Sequence, residues 1–428
     1  MVGGYRGLAW QPGAMTEGTS LAAQRLAVKV TKDALRQVRA GHPWIFDSSV
    51  TSVRPEGRAG DLAVVFDDRR RFAAIGLYDP NSSIRVRVLH QGSPTRIDRT
   101  WLSSKLEAAA QRREGVWSAR TNGYRWVHGE NDGLAGLVLD RYDNVVVAKL
   151  YSTAWIPHLR VVSEVVEELV SPSSVVVRLA RNVEPAAGIF DGAILAGGPV
   201  DEPVQFLEEG LRFEADVVAG PKTGWFFDQR DNRMRVRARS AGRRVLDVFC
   251  SAGGFSVNAA AGGAESVHSV DISASAVEAC RRNFALNSGR ANVARCRHEQ
   301  TVGDAREVMA RLARNGPAFD LVILDPPAFA TRAAQVDAAL DAYADLTRSA
   351  VRLLESGGTL VQASCSSHVR SLELLGTVRE AVADAGAELV DPTLYGHGAD
   401  HPIGFAQGEY LAAVFSRVEH GGRGRYRP

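Results

Sequence analysis

Val245-Leu-Asp-Val-Phe-Cys-Ser-Ala-Gly-Gly-Phe-Ser256 decides the fold. It reads as a strand running into a tight glycine turn and then a helix. Gly253 and Gly254 carry no side chain, so the backbone there can come close to a ligand. Outward from this stretch, strands and helices alternate regularly from about Leu211. Strands are predicted at Arg244–Phe249, Ser266–Val270, Val293–Cys296, Leu321–Leu324 and Thr359–Ala363, with helices between them. That pattern is an α/β fold with a mainly parallel sheet. Ligands of such sheets bind beyond the carboxyl ends of the strands.

The acidic residues fall at those ends. Ser266-Val-His-Ser-Val-Asp-Ile ends a strand in Asp271, placed to accept both hydroxyls of a ribose. After the third strand, Gly303-Asp304-Ala305 offers a carboxylate to an adenine amino group. A dinucleotide fold would need Gly-x-Gly-x-x-Gly to seat a pyrophosphate. Positions 249, 251 and 253 read Phe, Ser and Gly instead. S-adenosylmethionine has no pyrophosphate and tolerates this looser turn, so it is the expected cofactor.

Phe319-Asp-Leu-Val-Ile-Leu-Asp-Pro-Pro-Ala-Phe places Asp325 at the end of a buried strand, and two prolines then remove two backbone donors. Amino-group methylases carry a similar Asn/Asp-Pro-Pro with an aromatic directly after it, whereas Ala328 stands before Phe329 here. The next strand ends in Leu360-Val-Gln-Ala-Ser-Cys-Ser-Ser-His. Cytosine C5 is a poor nucleophile until a thiolate adds to C6, so methylation there needs one cysteine near the methyl donor. Cys365 is in that position. A cysteine taken alone is more often a small buried hydrophobe, and that is the reading for Cys250, Cys280 and Cys296. A helix from about Ser367 would favour the Cys365 thiolate; His368 reads as a surface residue.

The chain of 428 residues is long enough for two or three domains, and its hydrophobic content of 45% is ordinary for a globular protein. No apolar run approaches the roughly 18 residues of a membrane span. Four widely spaced cysteines give no disulfide framework and no metal-ligand spacing, so no metal is expected and the expected setting is a reducing cytoplasm. The net charge of +2 hides an asymmetry: residues 1–120 hold 19 Lys and Arg against 11 Asp and Glu. A basic front half suits a polyanionic partner. Residues 26–103 read as a β-rich module in which Ile84-Arg-Val-Arg-Val-Leu alternates a core face with a cationic face of Arg85 and Arg87. Residues 104–210 read as a small mixed α/β domain and 211–418 as the regular α/β domain. A Gly-rich flexible leader (1–25) and a basic tail (419–428) flank them.

These residues resemble the ribosomal RNA large subunit methyltransferase I family, which makes 5-methylcytosine in 23S rRNA. The similarity covers nearly everything after about residue 26. Further matching stretches are Ala40-Gly-His-Pro-Trp-Ile-Phe, Gly129-Glu-Asn-Asp-Gly-Leu-Ala-Gly-Leu-Val-Leu-Asp-Arg-Tyr, Gly220-Pro-Lys-Thr-Gly-Trp-Phe-Phe-Asp-Gln-Arg-Asp-Asn-Arg and Ala399-Asp-His-Pro. The resemblance implies a PUA-like RNA-binding domain, a central α/β domain, and a class I methyltransferase domain of Rossmann-like fold. It implies Cys365 as nucleophile, with Asp325 beside it. The cofactor set it implies is Phe227, Asp228, Gln229, Asp247, Phe249, Ser251, Gly253, Gly254, Asp271, Ile272, Asn287, Asp304, Ala305 and Asp325. His42, Trp44, Arg85 and Arg87 are then expected on ribosomal RNA. The sequence departs from the family at Ala252, where Thr is common. It departs again in the thinned basic stretch Thr331-Arg332, and after Ala399-Asp-His-Pro, where the loop is short. Two-cysteine cytosine methylases carry a second cysteine where Pro327 stands, so product release would proceed without it.

Two other readings stand beside cytosine-C5 methylation. One is methylation of guanine or an exocyclic amine, which needs no cysteine. The other is a noncatalytic RNA-binding assembly factor that kept the fold, against which Asp271, Asp304, Asp325 and Cys365 all speak. A homodimer is compatible with the sequence.

Overall fold

A computed structural model describes residues 24–421 apart from 187, 316–317 and 331. Nearly all of the expected leader and tail, and Thr331 of the thinned basic stretch, lie outside the described residues. The chain divides into two compact units. One runs to Gly210 and takes in Glu214–Phe227 and Ala399–Ala406; the other comprises Leu211–Phe213, Asp228–Gly398 and the chain from Gln407.

The first unit opens with six strands: β1 (Arg25–Val30), β2 (Trp44–Phe46), β3 (Val50–Arg54), β4 (Leu62–Phe66), β5 (Phe72–Tyr78) and β6 (Ile84–Gln91). They form one sheet in the order β2-β6-β5-β4-β1-β3. Helix α1 (Lys32–Arg39) is capped by Thr31, whose hydroxyl accepts from Ala34 N. Helix α2 (Arg99–Gln111) is capped by Asp98 and leads to a second sheet. Its strands are β7 (Gly123–His128), β8 (Leu137–Tyr142), β9 (Val145–Leu150), β10 (Ser174–Leu179) and β11 (Ile194–Gly197), with α3 (Leu159–Val170) crossing from β9 to its parallel neighbour β10. Leu62, Ile75, Leu77 and Leu89 of the first sheet share one core with Trp101, Trp126, Val146 and Trp155. The two sheets therefore belong to one compact unit.

That shared core corrects the expected cationic face of β6. Arg87 is only 5% exposed. Its guanidinium donates to Glu130 Oε1 at 3.3 Å and to the Tyr151 carbonyl at 3.0 Å. Burial pulls it below the ordinary arginine range. Arg85 donates to Asp47 and to the Asp79 carbonyl. Alternation had marked this face as solvent, but a second sheet covers it. Neither arginine is presented to a polyanion.

Two short strands follow, β12 (Val204–Glu208) and β13 (Leu211–Ala215), the latter starting in the second unit. Helix α4 (Arg230–Arg237) leads into β14 (Arg244–Val248), α5 (Gly254–Ala261), β15 (Ser266–Asp271), α6 (Ala274–Ala285), α7 (Ala291–Arg295) and β16 (Arg297–Val302). Then come α8 (Ala305–Ala313), β17 (Phe319–Leu324), α9 (Val336–Val351), β18 (Leu354–Ser364), α10 (Ser371–Asp384), β19 (Ala387–Tyr395) and β20 (Ala412–His420). The seven-stranded sheet has the order β16-β15-β14-β17-β18-β20-β19. Its first five strands run parallel, and β20 and β19 add antiparallel.

Two boundaries differ from expectation. Val293–Cys296, expected as the third strand, falls mostly in α7, and the strand is Arg297–Val302. Val293 buries its side chain from a helix. The real strand is a polar sheet edge with no apolar alternation. Helix α10 starts at Ser371 rather than near Ser367, with Glu373 reaching back to Arg370 N at 2.9 Å. No helix begins directly after Cys365.

The first unit is tied by a buried ion pair. Arg113 donates both terminal nitrogens to Asp132, at 2.8 and 2.7 Å, and also reaches the carbonyls of Arg125 and Asp400. Without Arg113, the fully buried Asp132 keeps only the half-exposed Arg112 as a cationic partner. Arg113→Met is therefore expected to cost about 3–5 kcal/mol of unfolding free energy, checked by urea denaturation against wild type.

Candidate functional site

The turn after β14 is strained. Phe249 and Ser251 hold φ of 65° and 49° without being glycine, and Gly253 follows at 80°. A Cβ on Gly253 would stand 2.4 Å from Cys280 Sγ, so the cradle closes only with glycine. Asp271, at the end of β15, holds the turn: one carboxylate oxygen accepts from Ser251 N and the other from Ser273 N, both at 2.9 Å. Asp271 thus shapes the turn. Next to it, the Ile272 side chain is 71% exposed, an apolar surface suited to one face of a purine.

Asp304 is exposed at the N-cap of α8, accepting from Arg306 N and Glu307 N through one oxygen. Ala305 behind it is buried in the core. Asp247 is fully buried; its Oδ2 accepts from Ser256 at 2.5 Å and its Oδ1 has no hydrogen-bond partner among the described residues. Burial raises its carboxyl well above the usual range. An orphaned carboxylate oxygen and a glycine-only cradle at one strand end fit the methionine end of S-adenosylmethionine, which carries an ammonium and a sulfonium.

The other expected cofactor residues divide. Gln229 donates to Asp325 Oδ1 at 2.9 Å and accepts from Asn232 at 2.7 Å. Asp228 accepts from the Tyr410 hydroxyl at 3.0 Å. These tie the start of α4 to β17 and β20. Phe227 is instead buried in the first unit against Tyr142 and Phe206, with ring centroids 5.0 and 5.6 Å away. Asn287 is buried and commits its amide to backbone groups of Arg212 and Asn283. For these two the side-chain contacts are with the protein core, a packing role in place of the expected ligand contact.

Cys365 is half-buried just past β18, with Sγ 3.8 Å from the Pro326 carbonyl. Its thiol rests on the Asp325-Pro-Pro loop. Ser366 ties the same loop down, accepting from Ala330 N at 3.1 Å and donating to Ala330 O at 3.2 Å. Behind them the Tyr343 hydroxyl pairs with Ser364 at 2.9 Å. The other thiols are placed differently. Cys280 and burial push the Cys250 thiol up, and burial pushes Cys296 up to about 11. His368 is exposed.

On the first unit, His42 and Trp44 join an edge-on aromatic cluster with Phe46 and Phe405. The Trp44 indole donates to Glu130 at 2.8 Å. Sequence reasoning did not single out Tyr410, Tyr343 or the turn Asp67–Arg71. Only the run of three arginines in that turn was a signal.

A family profile described as S-adenosylmethionine-dependent methyltransferase matches residues 106–392, and a PUA-like domain profile matches 28–91. A Deinococcus radiodurans protein named ribosomal RNA large subunit methyltransferase is 45% identical over 405 residues, covering 93% of this chain and 98% of its own. The chain belongs to the ribosomal RNA large subunit methyltransferase family. A Tolumonas auensis member, named ribosomal RNA large subunit methyltransferase I, is 33% identical over 91% of this chain and 99% of its own. A Streptococcus mutans structure described as a sam-dependent methyltransferase shares the fold, with TM-score 0.76, 19% identity, and coverage of 92% of this chain and 100% of that one. S-adenosylmethionine is the family's cofactor, and the fold is a PUA-like domain followed by a methyltransferase domain. No helix among the described residues is long and apolar enough to cross a membrane.

Asp271→Ala removes an acceptor for the ribose and two bonds that hold the turn. At about 1.5–3 kcal/mol for each charge-assisted bond lost, cofactor affinity should fall at least about tenfold. Titration calorimetry on the folded variant measures this; an unchanged affinity would take Asp271 out of the site.

Proposed function

We propose that this chain, acting in the cytoplasm, methylates C5 of a cytosine in large-subunit ribosomal RNA through a covalent adduct on Cys365. The observation that carries the reading is the contact between Cys365 Sγ and the Asp325-Pro-Pro loop. Sγ lies 3.8 Å from the carbonyl of Pro326, the residue after Asp325, whose carboxylate can orient a base. When bound, S-adenosylmethionine supplies an electrophilic methyl group. The thiolate of Cys365 adds to C6, and C5 gains the enamine character it needs to take that methyl. A base then removes the C5 proton and the C6–S bond breaks, returning the thiolate and restoring the aromatic ring. Asp325, steadied by Gln229, accepts from the cytosine amino group. Asp325 already accepts from Gln229 at one oxygen, and an orienting role suits a carboxylate so held.

Cofactor contacts fall to Asp247, the backbone of the turn 249–254, Asp271, Ile272, Asp304, and the segment containing Asp228 and Gln229. For the RNA, the tip between β4 and β5 takes the place expected of Arg85 and Arg87. Asp67 there accepts from Arg69 N, Arg71 N, the Arg71 guanidinium and Arg39. These bonds, the Arg71 backbone first, hold its carboxyl well below the usual range. The Asp67 carboxylate thereby gathers Arg39 and Arg71 by their guanidinium groups and Arg69 by its backbone, and Arg69 and Arg70 are exposed. Exposed cations on a braced turn suit a phosphate backbone.

Cys365→Ala should abolish methyl transfer while cofactor binding, measured by calorimetry, stays within about twofold of wild type. RNA carrying 5-fluorocytosine at the target has no C5 proton to lose. It should trap wild-type enzyme as a denaturation-resistant adduct and give none with Cys365→Ala. Cytosine methylation retained by that variant would favour an amine or guanine target.

The double variant Arg69→Glu, Arg70→Glu should raise the KM for ribosomal RNA and flatten its salt dependence, leaving cofactor affinity unchanged. Each lost phosphate contact should lower the log–log salt slope by about 0.7–0.9. An unaltered slope would remove this tip from the interface.

A further inference from the structure

Asp247 is a carboxyl group sealed from solvent. It is 0% exposed, and no lysine, arginine or histidine pairs with it among the described residues. The groups that act on it electrostatically, Cys280 and Asp325, are both potential anions. A carboxylate in that setting is far more costly than a carboxylic acid. The acid form needs a route by which its proton can leave, and the fold contains one. Ser256 Oγ lies 2.5 Å from Asp247 Oδ2 and 2.7 Å from Ser269 Oγ. Ser269 Oγ in turn lies 2.9 Å from His298 Nε2. Ser256 and Ser269 are fully buried, while His298 stands on the edge strand β16 and is partly exposed.

We propose that Asp247, Ser256, Ser269 and His298 form a proton relay that lets the buried carboxyl ionise when the cationic methionine end of S-adenosylmethionine binds at the glycine turn. The inference rests on the reading that this turn holds the cofactor. Asp247 would contact the cofactor; Ser256, Ser269 and His298 are positioning residues that act through it.

Each link has the chemistry for both directions. A hydroxyl is one donor and an acceptor with two lone pairs. With Asp247 protonated, Oδ2–H donates to Ser256, Ser256 to Ser269, and Ser269 to His298 Nε2. With Asp247 ionised every bond reverses, and His298 Nε2–H donates to Ser269. Passing from one state to the other moves one proton across each link. Asp247 becomes a carboxylate, each serine gives one proton and receives one, and the imidazole gains a proton at Nε2. It then loses its Nδ1 proton to solvent, and no redox partner is required.

The surroundings of His298 allow this exchange. Phe284 of α6 stacks on its ring at 3.5 Å, and the Cys280 thiol lies 3.9 Å from Nε2 and 3.7 Å from Ser269 Oγ. From β15 it faces Ser269, with His268 paired to Thr301 on the opposite face, and on its own strand it stands between Arg297 and Glu299. No carboxylate bonds its ring among the described residues to hold the proton there.

Binding should therefore release about one proton per cofactor. By linkage, affinity should tighten as pH rises, by close to tenfold per pH unit wherever Asp247 is protonated in the free chain. The test is calorimetry of the full chain with S-adenosylhomocysteine, which keeps the ammonium and cannot react, in phosphate and Tris at one pH. A buffer-dependent heat amounting to about one proton is expected, with loss of a protonated-carboxyl infrared band on binding. Asp247→Asn should bind more weakly and without either signal. Ser269→Ala should still bind, but a stopped-flow pH indicator should show its proton lagging behind the binding signal, whereas the two coincide in wild type. Binding with a buffer-independent heat and no infrared change overturns the relay and leaves the cofactor site standing. So does proton release retained in Asp247→Asn or undelayed in Ser269→Ala. No binding at all overturns the site assignment and the relay with it.

Discussion

The second unit depends on one carboxylate bracing one strained turn. Phe249 and Ser251 occupy backbone conformations that side chains disfavour, at a cost of order 1–3 kcal/mol each. The bond from Ser251 N to Asp271 offsets part of that cost, and so does packing of Gly253 against Cys280. The consequence is positional. With the turn folded this way, Asp247 is sealed under it, α5 begins directly at Gly254, and Ser256 comes within reach of Asp247. A looser turn would let water reach the carboxyl and relieve the strain, but it would also lose the close approach of backbone to ligand. The different surroundings of Asp271 and Asp247 are thus two results of one geometry. Asp271 stands half-buried at the strand end, while Asp247 has no contact with solvent.

Much of the parallel sheet was legible in the sequence because its inner strands are buried on both faces. Val245–Val248 and Leu321–Leu324 read as near-continuous apolar runs for that reason. The edge strand Arg297–Val302 has only one neighbour and alternates polar residues on a half-wet surface, so no hydrophobic signal marks it. The reverse error occurred at β6. Arg85 and Arg87 alternate with Val86 and Val88 as a solvent face should, yet the partner that buries Arg87 is Glu130, far along the chain. Local pattern carries no information about a charge satisfied at such a distance. Asn287 and Phe227 belong to the same class, since their partners Arg212, Tyr142 and Phe206 lie on other elements. Strand-end placement survived better, because it follows from topology rather than from what each side chain touches.

Topology also explains why the chemistry needs so few residues. Strands β14, β17 and β18 are consecutive neighbours in the sheet, with Val248 beside Leu324 and Leu324 beside Gln362. Neighbouring strands lie about 4.8 Å apart. Their carboxyl ends therefore present the glycine turn, Asp325 and Cys365 in one row, with Asp325 in the middle. A planar base held at the middle position has the methyl donor on one side and the thiol on the other. C5 and C6 are adjacent ring atoms, so attack at one and methyl uptake at the next suit such a row. The two prolines after Asp325 stiffen its centre, Gln229 fixes the carboxylate, and Ser366 pins the outer loop to Ala330. An exocyclic amine extends from the ring edge and would need only the first two positions of the row. A thiol held at the third position serves no purpose in that reaction, which is the physical ground for preferring ring-carbon methylation to the amine alternative.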